Sequence, residues 1–127
     1  MLDPPTNASR VFKTAWFSKA AKKARMTDAE LYDAIRQVML GQVDDLGGGV
    51  FKKRLNRNMH RSIILAKGGR HWVYAYLFAK QDRANIDESE LIGFRRLAKT
   101  YETLSDQQIA RLVRDGDFEE ICHDNKA

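Results

Sequence analysis

Lys52, Lys53, Arg54, Arg57 and Arg61 are crowded into one short stretch, with His60 between the last two. Cations at that density can clamp a phosphodiester and offset the charge of a pentacovalent phosphorane, and an imidazole can carry a proton near neutral pH. Lys67, Arg70, Lys80 and Arg83 continue the run, and Tyr74 and Tyr76 offer rings on which unstacked bases could lie, although an apolar strand claims at least one of them for the core. His71, beside a turn, is the second imidazole, and its ordinary role is structural. From Val50 to Arg83 there are nine cations against one acid, a surplus of +8, whereas the whole chain carries +5, so the remainder sums to −3. The positive charge is local, as a polyanion-binding surface requires. The competing reading is a solvated face whose Lys and Arg stems cover apolar surface, and composition does not choose between the two.

Other chemistries find little support. Asp28, Glu30, Asp87 and Glu90 sit where helix caps need them, which leaves no paired carboxylates for acid–base work and no metal site. Cys122 is the single cysteine, so no internal disulfide or cysteine metal cluster is expected. Gly47-Gly48-Gly49 precedes Lys52-Lys53 but does not match a phosphate loop, and G-x-G-x-x-G is missing, so no nucleotide cofactor is expected. No apolar run approaches the ~20 residues that cross a bilayer. The first residues lack a cationic start followed by an apolar run, so the expected location is the cytoplasm.

The elements that would position these residues are legible from caps and periodicity. Residues 1–9 hold both prolines and read as a flexible leader, and 10–127 as one domain. Arg10 to Thr14 alternates as a short strand, and Thr14 caps a helix from Ala15 to about Arg25 with Trp16, Phe17, Ala20, Ala21 and Ala24 inward. Thr27-Asp28-Ala29-Glu30, Asp87-Glu88-Ser89-Glu90 and Ser105-Asp106-Gln107-Gln108 are capping boxes, each flanked by apolar staple residues and followed by a helical pattern. Gly41 and Gly116 mark helix ends, and Gly47-Gly48-Gly49 reads as a hinge or turn. Three strands are predicted at about 50–55, 60–67 and 71–79, the last two joined by a Gly68-Gly69 turn. Their period of two puts Phe51, Lys53 and Leu55 on one face and Lys52 and Arg54 on the other. The acidic tail from Asp117 to Asp124 either adds a strand or hangs free. The class is α+β: a curved antiparallel sheet, made of the first strand and the three-stranded meander, packed by helices from both ends of the chain.

Two segments carry a resemblance. Asp45-Leu46-Gly47-Gly48-Gly49-Val50-Phe51-Lys52-Lys53-Arg54-Leu55 and Tyr76-Leu77-Phe78-Ala79-Lys80-Gln81-Asp82-Arg83-Ala84-Asn85-Ile86-Asp87 are similar to signature segments of the RelE/HigB-like toxins of bacterial type II toxin–antitoxin systems, in the RelE/ParE superfamily. Val11-Phe12-Lys13-Thr14-Ala15-Trp16-Phe17 and the Leu104-Ser105-Asp106 helix start resemble the family too, so the likeness runs in order over about residues 10 to 122. It implies a small fold of helices on a curved antiparallel sheet and a metal-independent endoribonuclease that cuts translated mRNA in the ribosomal A site, held in check by an antitoxin, often of helix-turn-helix type. Carried over by position, Lys52, Lys53 or Arg54 would contribute from the first meander strand, Arg61 from the second, and Lys80 and Arg83 from the end of the third. Together with His60, the residues Lys52, Arg54, Arg61 and Lys80 form the expected catalytic set, and Lys53, Arg57, Lys67, Arg70, Tyr74, Tyr76 and Arg83 the expected RNA contacts. Many relatives carry a longer loop, rich in glycine, lysine and serine, where this chain has only Asn56-Arg57-Asn58-Met59-His60. Either Arg57 and His60 stand in for that loop or the chain is inactive. Competing functions are a non-catalytic basic module that binds RNA or the ribosome, and a gyrase-directed toxin of the ParE kind.

Overall fold

The computed structural model describes residues 10–67 and 71–121. The leader, Gly68-Gly69, Arg70, Cys122 and the end of the tail lie outside them, as does the side chain of Lys67. Strand β1 (Arg10–Thr14) runs directly into helix α1 (Ala15–Lys23), because Thr14 takes an extended conformation and its hydroxyl accepts from the Phe17 N–H. Helix α2 (Asp28–Met39) follows. Helices α3 (Glu88–Glu102) and α4 (Asp106–Arg114) come after the central strands, and all three capping boxes anticipated at Thr27, Asp87 and Ser105 are formed in both directions.

The meander is present as β3 (Val50–Leu55), β4 (His60–Lys67) and β5 (His71–Ala79), antiparallel throughout. Two further strands lengthen the sheet. Asp44–Gly47 forms β2, paired antiparallel to β3 through a register shift, so the triple glycine is the turn of a hairpin and not a hinge. Gly47, Gly48 and Gly49 all have positive φ, which only glycine adopts without cost. Phe118–Ile121 forms β6 on the far side of β1, which decides the fate of the acidic tail. The strand order is β2-β3-β4-β5-β1-β6, and among the described strands β1 with β5 is the one parallel pair.

Both faces of the sheet are covered. Helices α1 and α2 close one over Val11, Ile64, Trp72, Tyr74 and Ile121, and α3 and α4 close the other over Phe12, Val50, Ile63, Leu65 and Phe118. Ile63 and Ile64 are both fully buried, on opposite faces. Neighbouring strand residues point to opposite faces, and here both faces are covered. The register shifts between these two positions: Ile63 faces Tyr76 and Ile64 faces Tyr74, leaving Ala75 as an extra residue on β5.

Candidate active site

Register alone assembles a cationic row. Antiparallel partners share a face. Arg54 is opposite Arg61, Arg61 is opposite Phe78, and Lys52 is opposite Ile63, so Lys52, Arg54 and Arg61 share the α3 side of the sheet with Tyr76 and Phe78. Arg54 is exposed and, among the described residues, forms no ion pair. Arg61 is half-buried, and its guanidinium donates to the carbonyls of Asn58 and His60 at 3.0 and 3.3 Å, not to a carboxylate. Lys52 reaches Asp44 on the neighbouring strand at 3.9 Å.

Other expected members are elsewhere. Lys53 points to the opposite face, buried, with its ammonium donating to the Gln42 carbonyl at 3.0 Å. Burial, and then the neighbouring Arg54 charge, push its pKa down. Tyr74 is corrected from an RNA contact to a core residue: it is fully buried, stacked on Phe17, and its hydroxyl donates to the Leu31 carbonyl at 2.7 Å. No base can reach it. Spacing of two would have put both tyrosines on one face, but the extra residue at Ala75 sends Tyr76 to the cationic side. His71 is buried with Nδ1 toward the Arg10 N–H at 3.4 Å, consistent with a structural role.

His60 pairs with Leu55 and Ala79, which places it on the face away from Arg54 and Arg61. It belongs instead to the rim of a cleft lined by Arg57, Asn58, Met59, His60, Ala79, Lys80 and Gln81. Its Nδ1 lies 3.1 Å from the Asn56 side-chain nitrogen. With that amide donating, the neutral ring carries its proton on Nε2 and offers a donor there. The short loop is a tight turn in which Asn56, Arg57 and Asn58 have φ of 55°, 55° and 70°, closed by the Met59 N–H donating to the Asn56 carbonyl. The Lys80 N–H donates to the Met59 carbonyl, tying the end of β5 to this turn. Arg57 and Lys80 are exposed there.

Arg83 forms a two-pronged ion pair with Glu90, lies over the Phe78 ring at 5.6 Å, and donates to the Tyr76 hydroxyl at 3.4 Å. Glu90 raises the Arg83 pKa, and Arg83 in turn holds the Glu90 carboxyl below its ordinary range. Trp16, expected inward, is instead 52% exposed and packs beside Tyr76 at a centroid distance of 5.0 Å. Helical periodicity assigned it to the core because its neighbour Phe17 is core; at the first turn of α1 the two rings diverge.

A family model described as the RelE toxin of the RelE/RelB toxin–antitoxin system matches residues 9–121. No curated protein and no solved structure matches the chain significantly.

Proposed function

The chain belongs to the RelE toxin family, whose members act in toxin–antitoxin systems, and on that premise we propose that it is an endoribonuclease that cuts translated messenger RNA in the ribosomal A site and is neutralised by a cognate antitoxin. The observation that carries this reading is the direct cross-strand opposition of Arg54 and Arg61. Like charges so placed destabilise a sheet by a fraction of a kcal/mol up to about 1 kcal/mol. A phosphate between them turns that repulsion into two charge-assisted contacts.

In the proposed step the ribose 2′-oxygen attacks the adjacent phosphorus as its proton leaves, the bond to the 5′-oxygen breaks, and that oxygen takes up a proton, giving a 2′,3′-cyclic phosphate and a free 5′-hydroxyl. Arg54 and Arg61 stabilise the negative charge gathered on the phosphorane, and Lys52 adds a third cation on the same face. Removing one such group costs on the order of 10²-fold in rate. Arg54 is exposed at the middle of the row, where a second body could present the strand, a role that suits the ribosome.

Expression without antitoxin should arrest translation, with primer extension showing cuts within translated messages. Normal growth with intact message at full expression would overturn the proposal. A second reading, a non-catalytic RNA-binding module, draws on the pairing of Lys52 with Asp44 and of Arg83 with Glu90. It requires RNA binding with no cleavage for Arg61→Ala to abolish. Stalled DNA replication with unaffected translation would instead point to gyrase.

A further inference from the structure

We propose that Trp16, backed by Tyr76, is a stacking platform for an unpaired base of the RNA strand whose phosphate the cationic row holds. The inference rests on the RNA-directed reading above. Trp16 stands at the start of α1, where β1 ends, and more than half of it faces solvent. Other large apolar side chains are exposed, among them Leu40, Met39, Met59 and Ile92, but none of these is aromatic.

The ring is supported from beneath. It packs on Tyr76 at 5.0 Å with 31° between planes, and Tyr76 in turn rests against Phe78 at 5.8 Å and Phe94 at 5.9 Å. The Tyr76 hydroxyl accepts from Arg83, which Glu90 fixes in place. A stacking residue held this way loses little freedom when a ligand arrives.

The location selects the occupant. Phe78 is opposite Arg61, and Tyr76 is the next residue of β5 on the same face, roughly 7 Å further along at two residues of strand rise. Phe78 lies a further strand spacing of about 5 Å from Arg61, and Trp16 stacks 5.0 Å beyond Tyr76, so the platform stands a few nucleotides from the Arg54–Arg61 pair. Local positive charge beside an exposed aromatic surface suits a single strand, whose phosphates follow the cations while its bases, which all have a π-face, stack without regard to sequence. An apolar segment of a protein partner would need no cations alongside.

The test is the affinity of the full chain for a short single-stranded oligoribonucleotide carrying a 2′-O-methyl at each ribose, read by fluorescence anisotropy over a series of salt concentrations. Trp16→Ala should weaken binding on the order of 10-fold while the slope of log affinity against log salt is unchanged, because no ion contact is lost. Arg61→Ala should weaken binding and flatten that slope. Trp16→Phe should restore most of the affinity and Trp16→Leu little, since leucine keeps the apolar area but not the ring. Melting temperatures of the variants near that of the parent confirm that the fold is intact, as expected for a half-exposed side chain. Unchanged affinity of Trp16→Ala alongside a clear Arg61→Ala effect overturns the platform and leaves the RNA reading standing. Full rescue by Trp16→Leu also overturns it, as would be expected of a protein contact. If the parent chain does not bind the oligonucleotide, the platform falls, and the ribosome-dependent reading is decided by translation arrest and primer extension.

Discussion

Arg54 and Arg61 place two like charges directly opposite each other across β3 and β4, an arrangement that opposes folding. Replacing Arg54 by Gln removes one half of a like-charge cross-strand pair. The expected outcome is equal or higher stability in urea, by up to about 1 kcal/mol, with translation inhibition lost; a clear destabilisation would show that the two guanidiniums do not repel in the folded protein. Lys53 and Tyr74 make the opposite case. They were candidates by residue type, yet one donates to Gln42 and the other to Leu31 on the α1 and α2 side of the sheet. Tyr74→Phe should cost about 1 kcal/mol by urea denaturation, the net worth of one hydrogen bond, and leave RNA affinity unchanged. A fall in RNA affinity with intact stability would put Tyr74 back in the site.

At the level of elements, helix ends carry most of the readable information and also a reserve of stability. Helices α1, α2 and α4 all close with the same motif: the N–H of the second residue past the cap donates back to the carbonyl of Ala21, Gln37 and Leu112 respectively. The residue after the cap has positive φ each time. In α2 and α4 it is Gly41 and Gly116, but in α1 it is Arg25, at φ 60°. Arg25→Gly should therefore raise stability by up to about 1 kcal/mol, checked by melting temperature; a drop would mean that the Arg25 side chain contributes more than its backbone costs. The cap of α3 adds a pH dependence. Asp87 is held below its ordinary range by the Glu90 backbone N–H and then by Ser89, and Glu90 by Arg83 and the Asp87 backbone N–H. Both folded values lie below the unfolded ones, so this contribution is complete above the ordinary carboxylate range and is lost as the pH falls below about 4.5 and on through the depressed values. Asp87→Asn with Glu90→Gln should flatten the acid limb of stability; an unchanged limb would locate acid sensitivity elsewhere.

Across the whole molecule, charge is sorted by position along the sheet. At the β6 edge, Glu120 pairs with Arg10, while Glu119 and Asp28 enclose the buried ammonium of Lys13. Glu119 and Glu120 of the tail are thus committed to the fold at one side, and Arg54, Arg57, Arg61 and Lys80 are left without carboxylate partners among the described residues toward the other. If these four all contact phosphates, the log–log salt slope for a single strand should be about −2.8; a slope near zero would mean that the cations are a solvated face only. No helix among the described residues is long and apolar enough to cross a membrane.

Local chemistry reached far into this protein by sequence alone. Caps at Thr14, Thr27, Asp87 and Ser105, stops at Gly41 and Gly116, and the three meander strands are each written within a few adjacent residues, because capping and alternation depend on near neighbours. The same locality marked the stretch from Val50 to Arg83 as the place where positive charge is concentrated. Only tertiary pairing could decide the rest. Asp44–Gly47 has no strand propensity of its own and becomes a strand because β3 offers an edge. One extra residue at Ala75 separates Tyr74 from Tyr76, and register brings Arg54 against Arg61, whereas the period of two had already parted Lys53 from Lys52 and Arg54. Which residues stand opposite each other is a property of two strands, and a single chain read in order contains only one of them at a time.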